Sequence, residues 1–345
     1  FLNYRRNLKM QESLSFDDVL LTPQYSKIIS RKNIGIGGQL DSNIELTLPI
    51  ISSPMDTVTE HRMASVIAGY GGVGIVHRYN SIAEQVDHVR KAKKEAKYVG
   101  AAIGVTGDYE RRACALQDAG ADIICLDVAH GHHTLVRNAL ETLRDVFGDK
   151  VHLMAGNVAT LEAFNDLADW GADSIRVGIG GGSICSTRIQ TGHGMPTFQS
   201  ILDCARSDRN AKLIADGGIK NGGDIVKALA AGADFVMLGS MLAGTDETPG
   251  EIFMSKNKRY KVYRGMASHA AQVDWKGSTN SLEGISTTIP YKGTVNDVFT
   301  ELAQGIRSGL SYSGVNNLLE LQAKARFIKQ TSAGQFESST HILRR

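Results

Sequence analysis

The regular alternation of short apolar runs with longer helix-like segments restricts the fold of this chain more than any other feature. The runs are continuous in valine, isoleucine and leucine, which is typical of parallel strands buried on both faces. Eight such runs occur, at 48–52, 72–76, 98–101, 123–126, 151–155, 174–177, 212–215 and 235–238. Helices are predicted between them, at 59–68, 82–94, 109–119, 134–147, 161–168 and 222–231. Strand–helix units in such a series predict an α/β fold, a (β/α)8 TIM barrel and not an open sheet.

The charge and composition of the chain exclude several classes of protein. Lysine and arginine number 38 against 36 aspartates and glutamates, and the net charge of +2 argues against a nucleic-acid partner. No apolar run reaches about 18 residues. Residues 1–9 lack the apolar core of a signal peptide, so we expect no membrane partner and a cytoplasmic location. Glycine is abundant, at 37 of 345 residues, and is predicted in tight turns and at backbone-to-ligand contacts.

Two connections are too long to be plain turns. One spans 178–196, after the sixth strand, and the other spans 239–294, after the eighth. Both leave the carboxyl ends of strands, where barrel enzymes place their chemistry. We therefore interpret the first as a long catalytic loop and the second as a short flap with a substrate loop. We expect a single catalytic barrel domain over 1–345, without an inserted regulatory domain. The polar tail at about 323–345 is predicted to lie at the surface or between subunits.

Glycine-rich turns after the last two strands predict a phosphate site. Asp216, Gly217 and Gly218 follow the seventh strand, and Gly239 and Ser240 follow the eighth. The loops after these two strands of a barrel commonly bind a phosphate through backbone N–H groups. Asp216 is placed to accept hydrogen bonds from ribose hydroxyls, which favours a nucleotide ligand. Glycines that only form short turns are the structural alternative.

The cysteine-containing loop after the sixth strand is the most informative segment. Cys185 ends a glycine-dense stretch at the predicted catalytic face, where backbone N–H groups and nearby cations favour the nucleophilic thiolate. A cysteine that merely fills a turn is the alternative. Thr187 is a candidate for relaying a proton, with Glu283 in the eighth loop as its charged partner. The remaining cysteines are predicted to be buried or partly buried, namely Cys114, Cys125 and Cys204.

Six short motifs make the chain resemble the IMP dehydrogenase / GMP reductase family over nearly its whole length. They are LSFDDVLLTP at 14–23, SSPMDTVTE at 52–60, GSIC at 182–185, ADGGI at 215–219, YRGM at 263–266 and EG at 283–284. One departure is Gly181, where family members usually carry proline. The resemblance implies a purine nucleotide monophosphate substrate, a nicotinamide cofactor and a homotetramer.

The resemblance also implies roles for individual residues. Cys185 matches the cysteine that bonds covalently to purine C2, and Glu283 matches the glutamate that reaches the purine edge. Together with Thr187 they form the implied catalytic set. The implied substrate-binding set is Ser53, Met55, Ser183, Asp216, Gly217, Gly218, Gly239, Ser240, Tyr263, Gly265 and Met266. The implied cofactor-binding set is Arg78, Asp127, His130 and Gly178. A monovalent cation, K⁺, would be held by carbonyl groups of Gly180, Gly182 and Cys185, with residues 337–339 of a neighbouring subunit reaching in.

The two reactions of the family differ in what attacks or leaves purine C2. The dehydrogenase hydrolyses its covalent intermediate with a flap whose Arg-Tyr pair activates water. Here the segment 266–282 separates Gly265 from Glu283 and contains neither arginine nor tyrosine. This absence favours a GMP reductase, which converts GMP to IMP and ammonia with NADPH. The alternative is an IMP dehydrogenase, which oxidises IMP to XMP with NAD, and the segments 243–250, 305–314 and 337–339 look more like dehydrogenases.

Arg78 bears on the choice of cofactor. It follows the second strand at the catalytic face, where a guanidinium would pair with the 2′-phosphate of NADPH. A contact with the surface or another subunit is the alternative for this residue. A non-catalytic nucleotide-binding barrel is a third reading of the whole chain, and the retention of Cys185, Thr187 and Glu283 counts against it.

Overall fold

The eight apolar runs form the parallel strands of a closed barrel. In a computed structural model, which describes residues 10–277 and 284–338, each barrel strand pairs with the next along the chain, and the last pairs with the first. Three short strands precede the barrel: β1 (Val19–Leu21), β2 (Gly38–Gln39) and β3 (Glu45–Leu46). The barrel strands are β4 (Ile50–Ser52), β5 (Val73–Val76), β6 (Gly100–Ile103), β7 (Ile123–Asp127), β8 (His152–Val158), β9 (Ser174–Val177), β10 (Lys212–Asp216) and β11 (Phe235–Leu238). The predicted (β/α)8 barrel is confirmed.

Most of the described helices cover the outside of the barrel. The described helices are α1 (His61–Gly69), α2 (Ile82–Lys93), α3 (Tyr109–Asp118), α4 (Thr134–Phe147), α5 (Leu161–Asp169), α6 (Thr187–Thr191), α7 (Thr197–Cys204), α8 (Gly222–Ala230), α9 (His269–Lys276), α10 (Val295–Tyr312), α11 (Leu318–Lys324) and α12 (Ser332–Glu337). Of these, α6 and α9 belong to the long connections after β9 and β11, and α12 belongs to the polar tail. In α4 the buried residues recur every three or four positions, at Val136, Ala139, Leu140, Leu143 and Phe147. That spacing directs one apolar face of the helix onto the strands.

A hairpin closes the amino-terminal end of the barrel. Strands β2 and β3 place Leu40, Ile44 and Leu46 against the side chains that fill the barrel interior. Asp41 of the same hairpin accepts a 2.7 Å hydrogen bond from Nδ1 of the buried His152. Burial alone would raise the pKa of the Asp41 carboxyl. The hydrogen bonds from His152 and from two backbone N–H groups of the hairpin outweigh burial and leave this pKa below its usual value.

His152 also connects Asp41 to a serine in an arrangement that resembles a hydrolase triad. Its Nε2 atom lies 2.8 Å from Oγ of Ser174. Ser174 is fully buried, and the group lies at the end of the barrel opposite to the catalytic loops. No substrate reaches a fully buried hydroxyl, so we interpret this group as an anchor for the hairpin.

Both long connections contain structure of their own. The connection after β9 includes the short helix α6, and the connection after β11 contains β12 (Phe253–Ser255), β13 (Lys258–Arg264) and β14 (Ser286–Pro290). These three strands form an antiparallel sheet, and α9 lies between β13 and β14 in the chain. Near the end of the described residues, β15 (Phe327–Lys329) pairs with β1. None of the described helices is long and apolar enough to span a membrane.

Candidate active site

Glycine at position 239 allows three elements to meet above the barrel. A side chain at Gly239 would begin 3.1 Å from Sδ of Met55, 3.3 Å from the Tyr263 hydroxyl and 3.4 Å from Oγ of Ser53. The backbone N–H of Ser53 donates to the carbonyl of Leu238, which joins the first barrel strand to the last. The structure therefore brings together four of the predicted substrate-binding residues from separate parts of the chain.

The loops after β9 and β10 pack backbone against backbone. Gly178 has φ +149°, and a side chain there would begin 1.9 Å from the carbonyl oxygen of Asp216. Gly217 has φ +96°, and a side chain there would begin 3.2 Å from the backbone nitrogen of Gly182. Gly218 has φ +80°, which also favours glycine. The predicted phosphate turn thus lies directly against the cysteine loop.

Tyr263 connects the cysteine loop to β13. Its hydroxyl lies 3.4 Å from Oγ of Ser183, and the residue is only 4% exposed. Burial raises the pKa of the Tyr263 hydroxyl, and the contacts with Ser183 and Ser240 act in the opposite direction. Tyr263 is therefore a neutral hydroxyl at the meeting point of the predicted phosphate-binding residues.

Cys185 presents its thiol to solvent. Its Sγ lies 3.1 Å from Oγ1 of Thr187, and its backbone N–H donates to the carbonyl of Gly182 at 3.1 Å. The other three cysteines are buried or partly buried, as predicted. Burial raises the pKa of both Cys125 and Cys204 to about 12, so these two thiols are inert at neutral pH.

The end of the flap reaches the cysteine loop. The N–H of Gly284 donates to Oγ of Ser186 at 2.8 Å, and the N–H of Ile285 donates to the carbonyl of Ile184 at 3.2 Å. Glu283, the predicted partner of Thr187, lies outside the described residues. Gly265 packs close to this contact, since a side chain there would begin 3.5 Å from Cα of Gly284.

Met266 and Arg264 hold the base of the flap to the loop after β4. The Sδ atom of Met266 accepts a hydrogen bond from the N–H of Asp56. Arg264 donates to Oδ2 of Asp56 at 2.7 and 3.0 Å and also contacts Asp274 of α9. Burial acts to lower the pKa of Arg264, but the two carboxylates raise it above its usual value. Arg264 is therefore a fixed cation and is engaged in ion pairs.

A line of alternating charges crosses the catalytic face. Nη1 of Arg176 lies 2.6 Å from Oδ1 of Asp127, and its Nη2 lies 2.9 Å from Oδ2 of Asp216. Asn157 donates to the same Oδ2 at 2.9 Å. Arg78 extends the line by donating to the carbonyl of Asp127 at 3.1 Å. Within residues 10–277 and 284–338, the side-chain hydrogen bonds to the Asp216 carboxylate fall on Oδ2, so Oδ1 is the oxygen that can accept from a ligand.

Sequence reasoning missed both Arg176 and Asn157. Arg176 is 6% exposed, and its two carboxylate partners raise the pKa of its guanidinium although burial acts to lower it. The signal available in the sequence was a charged residue inside an otherwise apolar strand, the run SIRV of β9. A cation is tolerated there only because it is paired with carboxylates.

The predicted cofactor residues surround an incompletely bonded polar surface. In the part of the chain that the structure describes, Nε of Arg78 and both side-chain amide atoms of Asn80 are buried without a hydrogen-bond partner. Such orphaned groups fit a surface that a polar ligand completes. His130 lies beyond the end of β7 and is exposed. Its pKa is lowered, mainly by partial desolvation and then by the neighbouring histidines.

The monovalent-cation prediction concerns backbone oxygens of the cysteine loop. Carbonyl groups are suitable ligands for such ions, and Gly180, with φ +81°, bends the loop. The side chain of Arg188 passes between Gly180 and Gly194, because a side chain at either glycine would begin within 2.7 Å of its Cγ. Among the described residues, no group of three or more histidine, cysteine, aspartate or glutamate side chains is arranged to hold a metal ion.

Comparison with known proteins gives a consistent assignment. A family profile described as IMP dehydrogenase / GMP reductase domain matches residues 13–341. The inosine-5′-monophosphate dehydrogenase of Nitrosopumilus maritimus is 34% identical, over 97% of this chain and 99% of that protein. The GMP reductase of Leishmania major is 32% identical, over 96% of this chain and 97% of that protein.

A solved structure agrees with these sequence relatives. It is the crystal structure of a cysteine-to-alanine variant of GMP reductase from Trypanosoma brucei in complex with guanosine 5′-monophosphate. It superposes with a TM-score of 0.92 at 30% identity and covers 98% of this chain and 99% of that one. Relatives with either activity are similar to this chain to nearly the same degree, so similarity identifies the family and not the member. The chain belongs to the IMP dehydrogenase / GMP reductase family of oxidoreductases.

Proposed function

We propose that the protein is a GMP reductase, which converts GMP to IMP and ammonia with NADPH through a covalent bond to Cys185. The observation that carries this proposal is the absence of arginine and tyrosine from 266–282. The two arginines nearest to the flap are already engaged, since Arg264 is paired with two carboxylates and Arg259 stacks 4.3 Å over the ring of Tyr291. A flap without an available base suits a reaction that needs no attack by water.

The phosphate, ribose and base of GMP each have proposed contacts. Gly218, Gly239, Ser240 and Tyr263 would bind the phosphate, and Oδ1 of Asp216 would accept from the ribose hydroxyls. Ser53, Met55, Gly265 and Met266 would surround the base, and Ser183 and Gly217 would complete the pocket. Support comes from the close approach of Gly239 to Ser53, Met55 and Tyr263 and from the contact between Gly217 and the cysteine loop.

The proposed chemistry starts at the exposed thiol. The Cys185 sulfur attacks C2 of GMP, and the 2-amino group then leaves as ammonia. Since an amino group leaves readily only when protonated, Thr187 and Glu283 are proposed to deliver that proton, a contribution of roughly 10²–10⁴-fold. Bound NADPH would supply the hydride that C2 receives. The bond between C2 and sulfur then breaks, which releases IMP and regenerates the Cys185 thiolate.

Arg78, Asp127, His130 and Gly178 are proposed to bind the cofactor. Nε of Arg78 lacks a hydrogen-bond partner and lies 3.9 Å from Oδ2 of Asp127, which supports this assignment, and the guanidinium would pair with the 2′-phosphate of NADPH. Replacement of Arg78 by alanine should then raise the KM for NADPH more than the KM for NADH. Equal losses would remove Arg78 from phosphate recognition. A homotetramer and a K⁺ ion on the carbonyls of Gly180, Gly182 and Cys185 complete the proposal.

An IMP dehydrogenase is the second candidate. It is favoured by the segments 243–250 and 305–314, which look like dehydrogenases, and by the match to the Nitrosopumilus maritimus enzyme. The deciding assay follows the absorbance of the reduced cofactor with GMP plus NADPH and, separately, with IMP plus NAD. We expect turnover with the first pair and little with the second. IMP oxidation at about 1 s⁻¹ or more would refute the reductase assignment, and no turnover with either pair would favour a non-catalytic nucleotide-binding barrel.

A further inference from the structure

A second group of titratable side chains lies between α1, α2 and the carboxyl end of β5. Its members are Glu60, His61, His77 and His88, which we call the histidine cluster. Nδ1 of His61 lies 3.0 Å from Nδ1 of His88, and Nε2 of His88 lies 3.7 Å from Oε2 of Glu60. Oε1 of Glu60 lies 3.0 Å from Nε2 of His77. Nδ1 of His77 lies 3.1 Å from the backbone nitrogen of Tyr79.

These distances restrict which ring nitrogen of each histidine carries a proton. The backbone N–H of Tyr79 can only donate, so Nδ1 of His77 is the acceptor and its Nε2–H donates to Glu60. Between the two Nδ1 atoms of His61 and His88, one must carry a proton and the other must not. If His61 donates, the neutral His88 carries its proton on Nε2 and directs it at Glu60. In that arrangement the Glu60 carboxylate accepts a hydrogen bond from His77, and its other oxygen faces the Nε2–H of His88 at 3.7 Å, an electrostatic contact that is too long for a hydrogen bond.

The histidine cluster ends at the turn that carries Arg78. His77 and Tyr79 flank Arg78 in the chain, and His77 is buried while Glu60 keeps 29% of its side chain exposed. The Arg78 guanidinium lies 5.5 Å from the ring of Tyr79 and 5.4 Å from the ring of Trp275 in α9. The two rings are stacked with their centroids 4.3 Å apart. The orientation of Arg78 therefore depends on how this turn is held.

We propose that Glu60 is a positioning residue for the cofactor half of the site, acting through its hydrogen bond with His77 on the turn that presents Arg78, with His88 as a second, longer electrostatic contact. The inference rests on the proposed function, which assigns Arg78 to the cofactor. It differs from that assignment in concerning side chains outside the proposed substrate-binding and cofactor-binding sets. Neither the flap nor the cysteine loop contributes a residue to the cluster.

Protonation should disturb the arrangement. Burial is the largest of the effects that lower the pKa of both His61 and His88, which keeps them neutral at pH 7. The other charged groups around them are Asp87, Lys91 and Glu84, all on α2. Asp87 and Lys91 pair with each other at 2.6 Å on the exposed side of that helix. As the pH falls, a proton on Nδ1 of His88 would face the Nδ1–H of His61 across 3.0 Å, and the pair must separate.

Glu60→Gln tests the geometry. An amide keeps an acceptor for His77 but removes the negative charge, so the hydrogen bond from His77 loses its charge assistance and His88 loses its electrostatic contact. The KM for the cofactor should rise roughly 2- to 12-fold, the equivalent of one ordinary hydrogen bond, while kcat stays within about twofold. Asp87→Asn is the matched control, because it also removes one negative charge beside His88 but leaves the hydrogen bonds of the histidine cluster intact. Equal effects of the two substitutions, or an unchanged KM in Glu60→Gln, would overturn the proposal.

His88 variants test the dependence on pH. In the wild type the KM for the cofactor should rise only at a pH below the usual pKa of histidine, about 6.5, because burial lowers the pKa of His88. His88→Gln keeps an N–H near the position of Nε2 but does not titrate, so its KM should match the wild type at pH 7.5 and change less on acidification. His88→Ala removes only the N–H that faces Glu60 at 3.7 Å, a weaker contact than a hydrogen bond, so its KM should rise less than that of Glu60→Gln at pH 7.5. A His88→Gln profile identical to that of the wild type would overturn the proposal.

Tryptophan fluorescence separates this inference from the proposed function. The chain has two tryptophans, so a Trp170→Phe background leaves Trp275 as the only reporter of the Tyr79 turn. Glu60→Gln should change the emission of Trp275 without any ligand, and Asp87→Asn should not. If no pair of substrates is turned over, the proposed function fails while this measurement still applies. Unchanged emission in Glu60→Gln would overturn the positioning role whatever the activity.

Discussion

Replacement of Arg176 by methionine should destabilise the protein more than any change at the surface. The guanidinium is buried and holds Asp127 at 2.6 Å and Asp216 at 2.9 Å. Methionine keeps most of the side-chain volume but leaves Asp216 without a cation and Asp127 with Arg78 alone, at 3.9 Å. Breaking a buried ion pair in this way costs roughly 3–5 kcal/mol of the free energy of unfolding, and a urea midpoint should fall by on the order of 1 M.

Urea denaturation followed by circular dichroism, at pH 7 and at pH 5, measures the effect. Unpaired buried carboxylates have raised pKa values, so they take up protons on acidification and the deficit of the variant should shrink at the lower pH. Arg209→Met is the control, since Arg209 pairs with Asp169 on the surface and its removal should change the midpoint little.

A second substitution checks that the lost stability comes from uncompensated charge. Asp127→Asn added to Arg176→Met removes one of the two carboxylates that lose Arg176 and should recover part of the loss. An Arg176→Met variant within about 1 kcal/mol of the wild type would show that these carboxylates are solvated or protonated in the folded protein. Arg176 would then not be needed to neutralise Asp127 and Asp216.

Three further predictions concern the nucleotide site and the barrel floor. Cys185→Ala should abolish turnover while GMP affinity, measured by calorimetry, stays within about tenfold; normal turnover would remove the thiol from the chemistry. Ser240→Glu should place a carboxylate against the phosphate and weaken GMP binding by several kcal/mol at most, and unchanged affinity would locate the phosphate elsewhere. Asp41→Asn should lower thermal stability at pH 7. Because the pKa of Asp41 is depressed in the folded state, its contribution is complete above about pH 4 and is lost below it, so the two melting temperatures should converge in acid. A constant difference would contradict this reasoning.

The barrel was predictable because each strand has its own local signal. All eight apolar runs overlap a strand, and the differences lie at the ends. The first strand begins at Ile50 and not at 48, since Pro49 has no N–H for a ladder. The third barrel strand, β6, begins at Gly100 and not at 98. The side chain of Tyr98 instead donates its hydroxyl to the carbonyl of Asn43 at 2.9 Å.

The antiparallel sheet of the flap region gave no such signal. Strand β12 is exposed along its whole length, and β14 is exposed at four of its five positions. A continuous apolar run is the mark of a strand buried on both faces, so strands of this kind are missed by the same rule that finds the barrel.

The candidate site likewise contains residues that the sequence identified and residues that it did not. Cys185, Asp216, Gly239 and Tyr263 lie in local motifs, and the sequence alone singled them out. Arg176 acquires its importance only from partners 40 and 49 residues away, which neighbouring strands bring to it. Long-range pairing of this kind is not visible in a single sequence without the fold.

The pairing of the last barrel strand with the first has a consequence for synthesis on the ribosome. Val236 is the register partner of Ile50, so the barrel cannot close until nearly all of its strands have emerged. Until then β4 presents an unpaired apolar edge. The hairpin of β2 and β3 also lacks its partner His152, which is 111 residues beyond Asp41. Loop closure over such distances slows folding, and an open edge of this kind favours aggregation. The nascent chain should therefore depend on chaperones that shield its amino-terminal half until β11 has emerged from the ribosome.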